Sequence, residues 1–274
     1  MSDTDKILDA MRVDGKKGAA GLAKRDSAST KGVEDKKDAR GRLADLTALL
    51  DDLQYKLYAE AKTALLVVIQ AMDTGGKDGV IRKVFGPINP QGVDVASFKR
   101  PTDGELAHDY LWRIHARAPA KGMIGIFNRS HYEDVLVRRV HRFDSEKTIQ
   151  ARYRQINEFE RHLTENGTAI LKFHLHISKD EQRKRLQARL DNPKKRWKFE
   201  LGDLDERKLW AKYQDDYQKV LDRCATRYAP WYVIPADNKW YRDWSVAGIV
   251  VRALRGINPR IPKEQEGLDG VTVE

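Results

Sequence analysis

Five consecutive apolar residues, Leu65 to Ile69, constrain this chain more than any other stretch in it. The run holds two valines and an isoleucine and is too short for a buried helix. It therefore reads as a strand covered on both faces, which belongs in a parallel sheet with helices above and below. Ala71-Met-Asp-Thr-Gly-Gly-Lys77 follows directly, and its paired glycines suit a tight turn. Asp78 then stands where a helix begins, with Val80, Ile81, Val84 and Phe85 recurring behind it at helical spacing.

Strand, glycine turn, lysine and helix in that order make a P-loop. Backbone N–H groups and a helix N-terminus there hold phosphate oxygens while the lysine offsets their charge. The match to G-x-x-x-x-G-K-[ST] is imperfect, because Ala71 takes the first glycine position and Asp78 the hydroxyl position. Gly75, Gly76, Lys77 and the loop carboxylate Asp73 favour phosphate binding. An ordinary strand-to-helix turn is the alternative on spacing alone.

Composition narrows the partners. The 274 residues suffice for one large or two small cores. A charged fraction of 34% and a mean hydropathy of −0.67 describe a soluble protein. No apolar run approaches the roughly 20 residues of a membrane span. The first residues lack a signal peptide's apolar core, and the single Cys224 suits a reducing cytoplasm rather than a disulfide framework. A net charge of +10 points to a polyanion: nucleic acid, a membrane surface or a phosphate polymer.

Residues 1–33 mix Lys, Asp, Gly, Ala and Ser and read as a mobile or loosely attached arm. From Glu34 a helix is expected, with Leu43, Leu46, Leu49, Leu50, Leu53 and Leu57 as a stripe packing on the core or a neighbouring subunit. Val93 to Phe98 reads as a strand ending in Lys99-Arg100, followed by a capped helix through His115. Ligands gather at strand carboxyl ends in such sheets, so both cations fall on the expected side, though a solvated basic turn explains each singly. Gly122 to Phe127 is another buried strand, with Asn128-Arg129-Ser130-His131-Tyr132-Glu133-Asp134 at its end. An acid there can hold magnesium directly or through water, and Arg129 can grip a phosphate in bidentate fashion. His131 reads as structural. His174 and His176 share a strand face but lack a nearby third ligand, so packing is preferred to metal binding.

A helix from Asp144 to Thr164 precedes the strand Ala169 to Ile177, and Ser178 with Glu181 forms a capping box for the next helix. Arg185, Arg189, Lys194, Lys195, Arg196 and Lys198 crowd the segment 183–202, broken at Asn192-Pro193. This reads equally as a lid over phosphates or as a surface patch, including a nucleic-acid site using Trp197 and Phe199 for stacking. Asp203 to Arg227 is expected as one long helix, Trp231 to Ile234 as the final strand, and Trp240 to Leu254 as a closing helix. Residues 259–274 read as a polar tail. Strands alternate with helices throughout, which gives an α/β fold built on a parallel sheet.

Six ordered blocks carry a resemblance. Residues 71–79, 97–102, 127–134, 177–182, 191–198 and 229–237 are similar to the polyphosphate kinase 2 family over roughly residues 40–258. The resemblance implies a P-loop kinase-like domain, here 34–258, with a helical lid. It implies transfer of the terminal phosphate of inorganic polyphosphate to adenine or guanine nucleoside mono- and diphosphates. Magnesium is the implied cofactor, with manganese able to replace it, and a cytoplasmic homo-oligomer (dimer or tetramer) the implied assembly. Neither nucleic acid nor membrane is an expected partner. By position, Asp73 and Lys77 are the loop acid and lysine, Arg129 follows the second acidic motif, and segment 183–202 is the lid. Thr74, Gly75, Gly76, Asp78 and Gly79 line the phosphate cradle, with Arg82, Lys83, Lys99 and Arg100 as a polyphosphate track. Many members carry Asp where this chain has Asn128 and Asn where it has Glu133. That acid-shifted pattern resembles the class III branch, acting on both mono- and diphosphates.

Catalytic roles thus fall to Asp73, Lys77, Arg129 and Glu133, metal binding to Asp73 and Glu133, and nucleotide contacts to Asn128, Arg129 and Glu133. Glu133 is expected as a water-mediated magnesium ligand or an acceptor contact, the alternative being a helix-end charge. Two rival functions are an ATP-dependent nucleotide or nucleoside kinase and a nucleic-acid-binding protein with a vestigial P-loop.

Overall fold

The computed structural model describes residues 2–13, 15, 21–268 and 271–273. Its centre is β1 (Ala64–Ala71), with all eight residues buried. The flanking strands are β2 (Val93–Ser97), β3 (Ile124–Asn128), β4 (Thr168–His176) and β5 (Trp231–Pro235). Every pairing is parallel, in the order β2-β3-β1-β4-β5. Chain order reverses on either side of β1, so the crevice beyond its carboxyl end is where a ligand belongs.

Helices cover both faces, as apolar parallel strands require. On one lie α2 (Lys36–Glu60), the short α3 (Lys77–Val80) continued by a π-helical turn over Ile81–Phe85, and α11 (Lys239–Ile257). The other carries α6 (Glu133–Val140), α7 (Glu146–Glu165) and α10 (Trp210–Cys224). The leucine stripe of α2 packs inward: Leu50, Leu53 and Leu57 are buried, Leu43, Leu46 and Leu49 lean on the core, and α11 is the main partner. Between β4 and α10 stand α8 (Lys179–Asp191) and α9 (Gly202–Lys208). The expected helix 102–115 is two turns, α4 (Asp103–Leu106) and α5 (Trp112–His115). Glu105 folds back onto Thr102, and the Asp109 carboxylate takes the Leu111 N–H, so the first turn closes before the second starts.

Two other expectations are corrected. The helix foreseen over Asp203 to Arg227 is divided at Leu209, whose N–H bonds Glu206 in a tighter turn. That turn lets Glu206 accept from the Tyr213 hydroxyl at 2.7 Å and meet His141 at 2.9 Å. The described part of the N-terminal segment is docked rather than loose. It forms α1 (Asp3–Ala10), buries Leu8, Met11, Val13 and Leu22, and pairs with the outer edge of β5. Val13 donates to the Trp231 carbonyl at 2.9 Å, and Val233 donates to the Met11 carbonyl at 2.8 Å. Residues 1, 14 and 16–20 of the expected arm, and 269, 270 and 274 of the expected tail, lie outside the described residues. Arg260 to Leu268 are exposed and carry neither helix nor strand. No described helix is long and apolar enough to cross a membrane.

Candidate active site

The register of the central strands assembles the site. Ile69 of β1 lies level with Asn128 of β3, and the Arg129 N–H donates to the Ile69 carbonyl at 3.1 Å. The loop after β1 and the loop after β3 therefore leave the sheet side by side. Asp73, Thr74, Gly76, Lys77, Asp78 and Gly79 from the first, with Asn128, Arg129 and Glu133 from the second, line one cleft of about 1860 Å³.

The first loop is bent tightly. Gly75 donates to the Met72 carbonyl at 2.9 Å, and a β-carbon on Gly75 would lie 2.5 Å from that of Ala71. Gly76, at φ 103°, occupies the left-handed region that glycine tolerates. Thr74 and Arg129 also have positive φ, 62° and 63°, a cost that non-glycine residues carry mostly at functional positions. The ammonium of Lys77 donates to the Ala71 carbonyl at 3.1 Å, across the mouth of its own loop.

Charges converge on this point. An Arg129 Nη2 lies 3.6 Å from an Asp73 carboxylate oxygen. Burial lowers the pKa of Lys77, while Asp73, Glu133 and Asp78 oppose that and Arg129 adds to it. Burial raises the Glu133 carboxyl above its ordinary range, against the pull of Arg129 and Lys77. A buried lysine and a buried glutamate whose ionisation is perturbed, gathered in a cleft with Asp73 and Arg129, have the character of a chemical centre. Asn128 plays a separate part, since its amide nitrogen donates to Asp78 at 2.9 Å. An aspartate at 128 would set two carboxylates face to face, so the amide suits an acid at 78.

Among the described residues no three of His, Cys, Asp and Glu are grouped to hold a metal by themselves. The donor set still fits a hard divalent ion. Such an ion takes one or two carboxylates and completes its shell with water and substrate phosphates. Asp73 and Glu133, on the wall of the same cleft, could supply the carboxylates, and the buried hydroxyl of Thr74 on that wall has no protein partner.

The expected outer cations divide. Arg82, Lys83, Lys99, Arg189, Lys195 and Lys198 line the cleft, whereas Arg100, Lys194 and Arg196 are exposed away from its wall. Arg196 instead donates to the Leu190 carbonyl at 2.9 Å. Arg185 is not a free lid cation. Its nitrogens bond Glu181, the carbonyls of Thr74 and Gly75, and those of Ala236 and Asp237. With Gln182 donating to the Asp73 carbonyl at 3.2 Å, the first turns of α8 grip the glycine loop rather than move over it. The capping box expected here is half made: Ser178 accepts from the Glu181 N–H, but the Glu181 carboxylate turns to Arg185.

His131, His174 and His176 all make packing or hydrogen-bonding contacts within the fold. His131 is buried against Glu160 at 3.2 Å, in a network with Tyr132 and Lys172. His174 packs on the Tyr217 ring at 4.2 Å, and burial holds it neutral. His176 bonds the Arg25 carbonyl at 3.1 Å. The sequence reading missed Lys36, Arg40, Lys239 and Arg242, all on the cleft wall. The only signal for them is their place in the first turns of α2 and α11, which end at the cleft.

Residues 33–262 match the model of the polyphosphate kinase 2 family. The chain belongs to that family. It is 55% identical over 239 residues to an AMP/ADP-polyphosphate phosphotransferase of Meiothermus ruber, covering 87% of this chain and 90% of that one. An ADP-polyphosphate phosphotransferase of Rhodopseudomonas palustris is 46% identical over 226 residues, 78% of each chain. The crystal structure of polyphosphate kinase 2 from Arthrobacter aurescens TC1 superposes with a TM-score of 0.88 at 47% identity, covering 90% of this chain and 89% of that one. The five-stranded parallel sheet flanked by helices is thus the family's P-loop kinase-like fold. Kinases of this family depend on a divalent metal, in keeping with the two carboxylates at the loop.

Proposed function

We propose that this chain transfers the terminal phosphoryl group of inorganic polyphosphate to AMP and to ADP, reversibly, with magnesium as the metal. The observation that carries the reading is the meeting of Asp73, Lys77, Arg129 and Glu133 in one cleft at the carboxyl end of β1. Both acceptors follow from the name of the Meiothermus ruber relative and from the Asn128–Glu133 pattern.

Phosphoryl transfer asks a protein for alignment and charge neutralisation more than for covalent chemistry. The loop N–H groups and Lys77 hold the donor's terminal phosphates. Arg129, tethered to Asp73, faces the oxygens on which charge grows as the bond to the chain breaks. Asp73 and, directly or through water, Glu133 would hold magnesium, which would supply charge neutralisation for the reacting phosphates. Glu133 also limits how closely a further acceptor anion approaches, which makes it the residue to decide between mono- and diphosphate. Arg82, Lys83 and Lys99 on the wall suit the rest of the polyanion, with salt-sensitive binding as the consequence. Residues beyond Arg189 in the 183–202 segment act as the lid, since Arg185 is anchored. A dimer or tetramer remains the expectation from the family resemblance.

The test is incubation with polyphosphate, magnesium and either AMP or ADP, with ATP as the competing donor. Polyphosphate-dependent ATP from ADP and ADP from AMP are the expected products. Product with ATP as donor but none with polyphosphate would overturn the reading in favour of an ATP-dependent kinase.

A further inference from the structure

Arg242 has no part in the chemistry above, yet it is the most deeply buried cation on the cleft wall beside the glycine loop. It is 2% exposed, in the first turns of α11. Its Nε and Nη2 both donate to one oxygen of Asp243, at 2.9 and 2.7 Å. The guanidinium thus held lies against the loop. A β-carbon on Gly76 would sit 1.9 Å from Nη1, and one on Gly79 would sit 2.8 Å from Nη2.

The two glycines differ in what they need. Gly76 requires glycine for its φ of 103° whatever its neighbours. Gly79 has no left-handed backbone and stands inside α3, where alanine is the better helix former. What a side chain at 79 would have to displace is Arg242 itself, whose guanidinium supplies all the near contacts there. A buried guanidinium occupies the hollow that the loop and helix leave, and it carries a cost there. Burial and the nearby Arg185 both work against its charge, which Asp243 supports. A core methionine or leucine would fill the same hollow without that penalty.

We infer that Arg242, oriented by Asp243, is a positioning residue that fixes the Gly76–Gly79 turn in the shape that receives the donor's phosphates. This rests on the proposed phosphotransferase function and deepens it on the donor side. The guanidinium acts through the loop, so its loss should be felt at the polyphosphate end of the reaction and not at the acceptor.

The experiment combines kinetics, calorimetry with tripolyphosphate, and thermal melting on the full chain. Arg242→Met should raise the polyphosphate KM and the tripolyphosphate Kd by about tenfold or more, because misplacing a binding group by about 1 Å carries that order of cost. The ADP KM should stay within about twofold, and Arg242→Lys should fall between Met and wild type. Gly79→Ala should weaken tripolyphosphate similarly by pushing the guanidinium aside, without lowering Tm. In an Arg242→Ala background the hollow is open, so Gly79→Ala should cause less than about a twofold further loss. Independent, multiplying effects of the two substitutions would overturn the inference, as would equal rises in both KM values. If Arg242→Ala fails to fold, Gly79→Ala alone still decides: unchanged tripolyphosphate affinity refutes the role. A wild-type chain that binds tripolyphosphate with the expected coupling but transfers no phosphate would sink the functional reading while this inference stands. A wild-type chain that does not bind tripolyphosphate counts against the inference itself.

Discussion

Glu133→Gln separates a working carboxylate from a helix-end charge, because the two roles predict opposite signs for stability. Glu133 opens α6, where a negative charge meets the positive end of the helix dipole. Were that its whole role, removing the charge would cost about 0.3–1 kcal/mol. For a domain of this size that is a fall in Tm of about 1–4 °C, at roughly 2–4 °C per kcal/mol. The structure argues otherwise. Burial raises the carboxyl's pKa even though Arg129, Lys77 and a hydrogen bond from Gln70 all favour its charged form. A raised acid contributes stability that is full below the unfolded pKa and is lost as pH rises through the folded one. At neutral pH the ionised side chain is therefore a net burden on the fold. Glutamine keeps the shape and removes the burden, so Tm should hold or rise at about pH 7.5, with the difference closing near about pH 4. Turnover should fall by about 10²–10³, the usual loss for one preorganised charge at a transition state. The variant should also need more magnesium or change its preference between AMP and ADP. Melting curves at the two pH values, beside a magnesium titration of the initial rate, make the measurement. A lower Tm with near-normal turnover would refute the reasoning.

The other predictions concern the loop, the lid and the buried network. Lys77→Ala and Asp73→Asn should each reduce turnover by about 10² or more with the melting transition preserved; a folded Lys77→Ala variant with ordinary kinetics removes the loop from the mechanism. Lys195→Ala should slow transfer by about tenfold, whereas Lys194→Ala and Arg196→Ala should stay within about twofold, since only Lys195 of the three lines the cleft. Equal effects at all three would mean a diffuse surface field. Lys172→Met should destabilise by about 3–5 kcal/mol in urea unfolding, because it takes the lysine charge away from the fully buried Glu160 and leaves that carboxylate only the hydrogen bonds of Tyr132 and His131. Adding Glu160→Gln should recover part of that loss, and a single variant within about 1 kcal/mol of wild type would contradict it.

Much of the frame is legible in the sequence because its strands are buried on both faces and so appear as largely apolar runs, broken in β4 only by Lys172 and the two histidines. β1, β3, β4 and β5 fall within two residues of their expected limits for that reason. The glycine loop is legible because a tight turn limits which residues can stand in it. Legibility fails where a side chain's role depends on a partner far along the chain. Arg185 sits in a run of like charges, and nothing local tells a loop clamp from a lid cation. Arg242 is separated from Gly76 by most of the domain and follows an unremarkable Trp-Tyr pair. The docked N-terminal segment is hidden for another reason: its few apolar residues, Leu8, Met11, Val13 and Leu22, are diluted by a polar composition. Each still finds a place in the core.

That docking also sets a schedule. The outer edge of the last strand is closed by backbone bonds from residues 11 and 13 to residues 231 and 233, about 220 positions apart in the chain. At a synthesis rate of roughly 5–20 residues per second, the early segment waits about 10–45 s on the ribosome before its partner exists. Loop closure over such a distance makes it a late event in refolding as well. An interrupted chain lacking β5 leaves Leu8, Met11 and Val13 uncovered, and so displays its incompleteness as sticky surface that quality control can detect. The early segment thus reports that the last strand of the sheet has arrived.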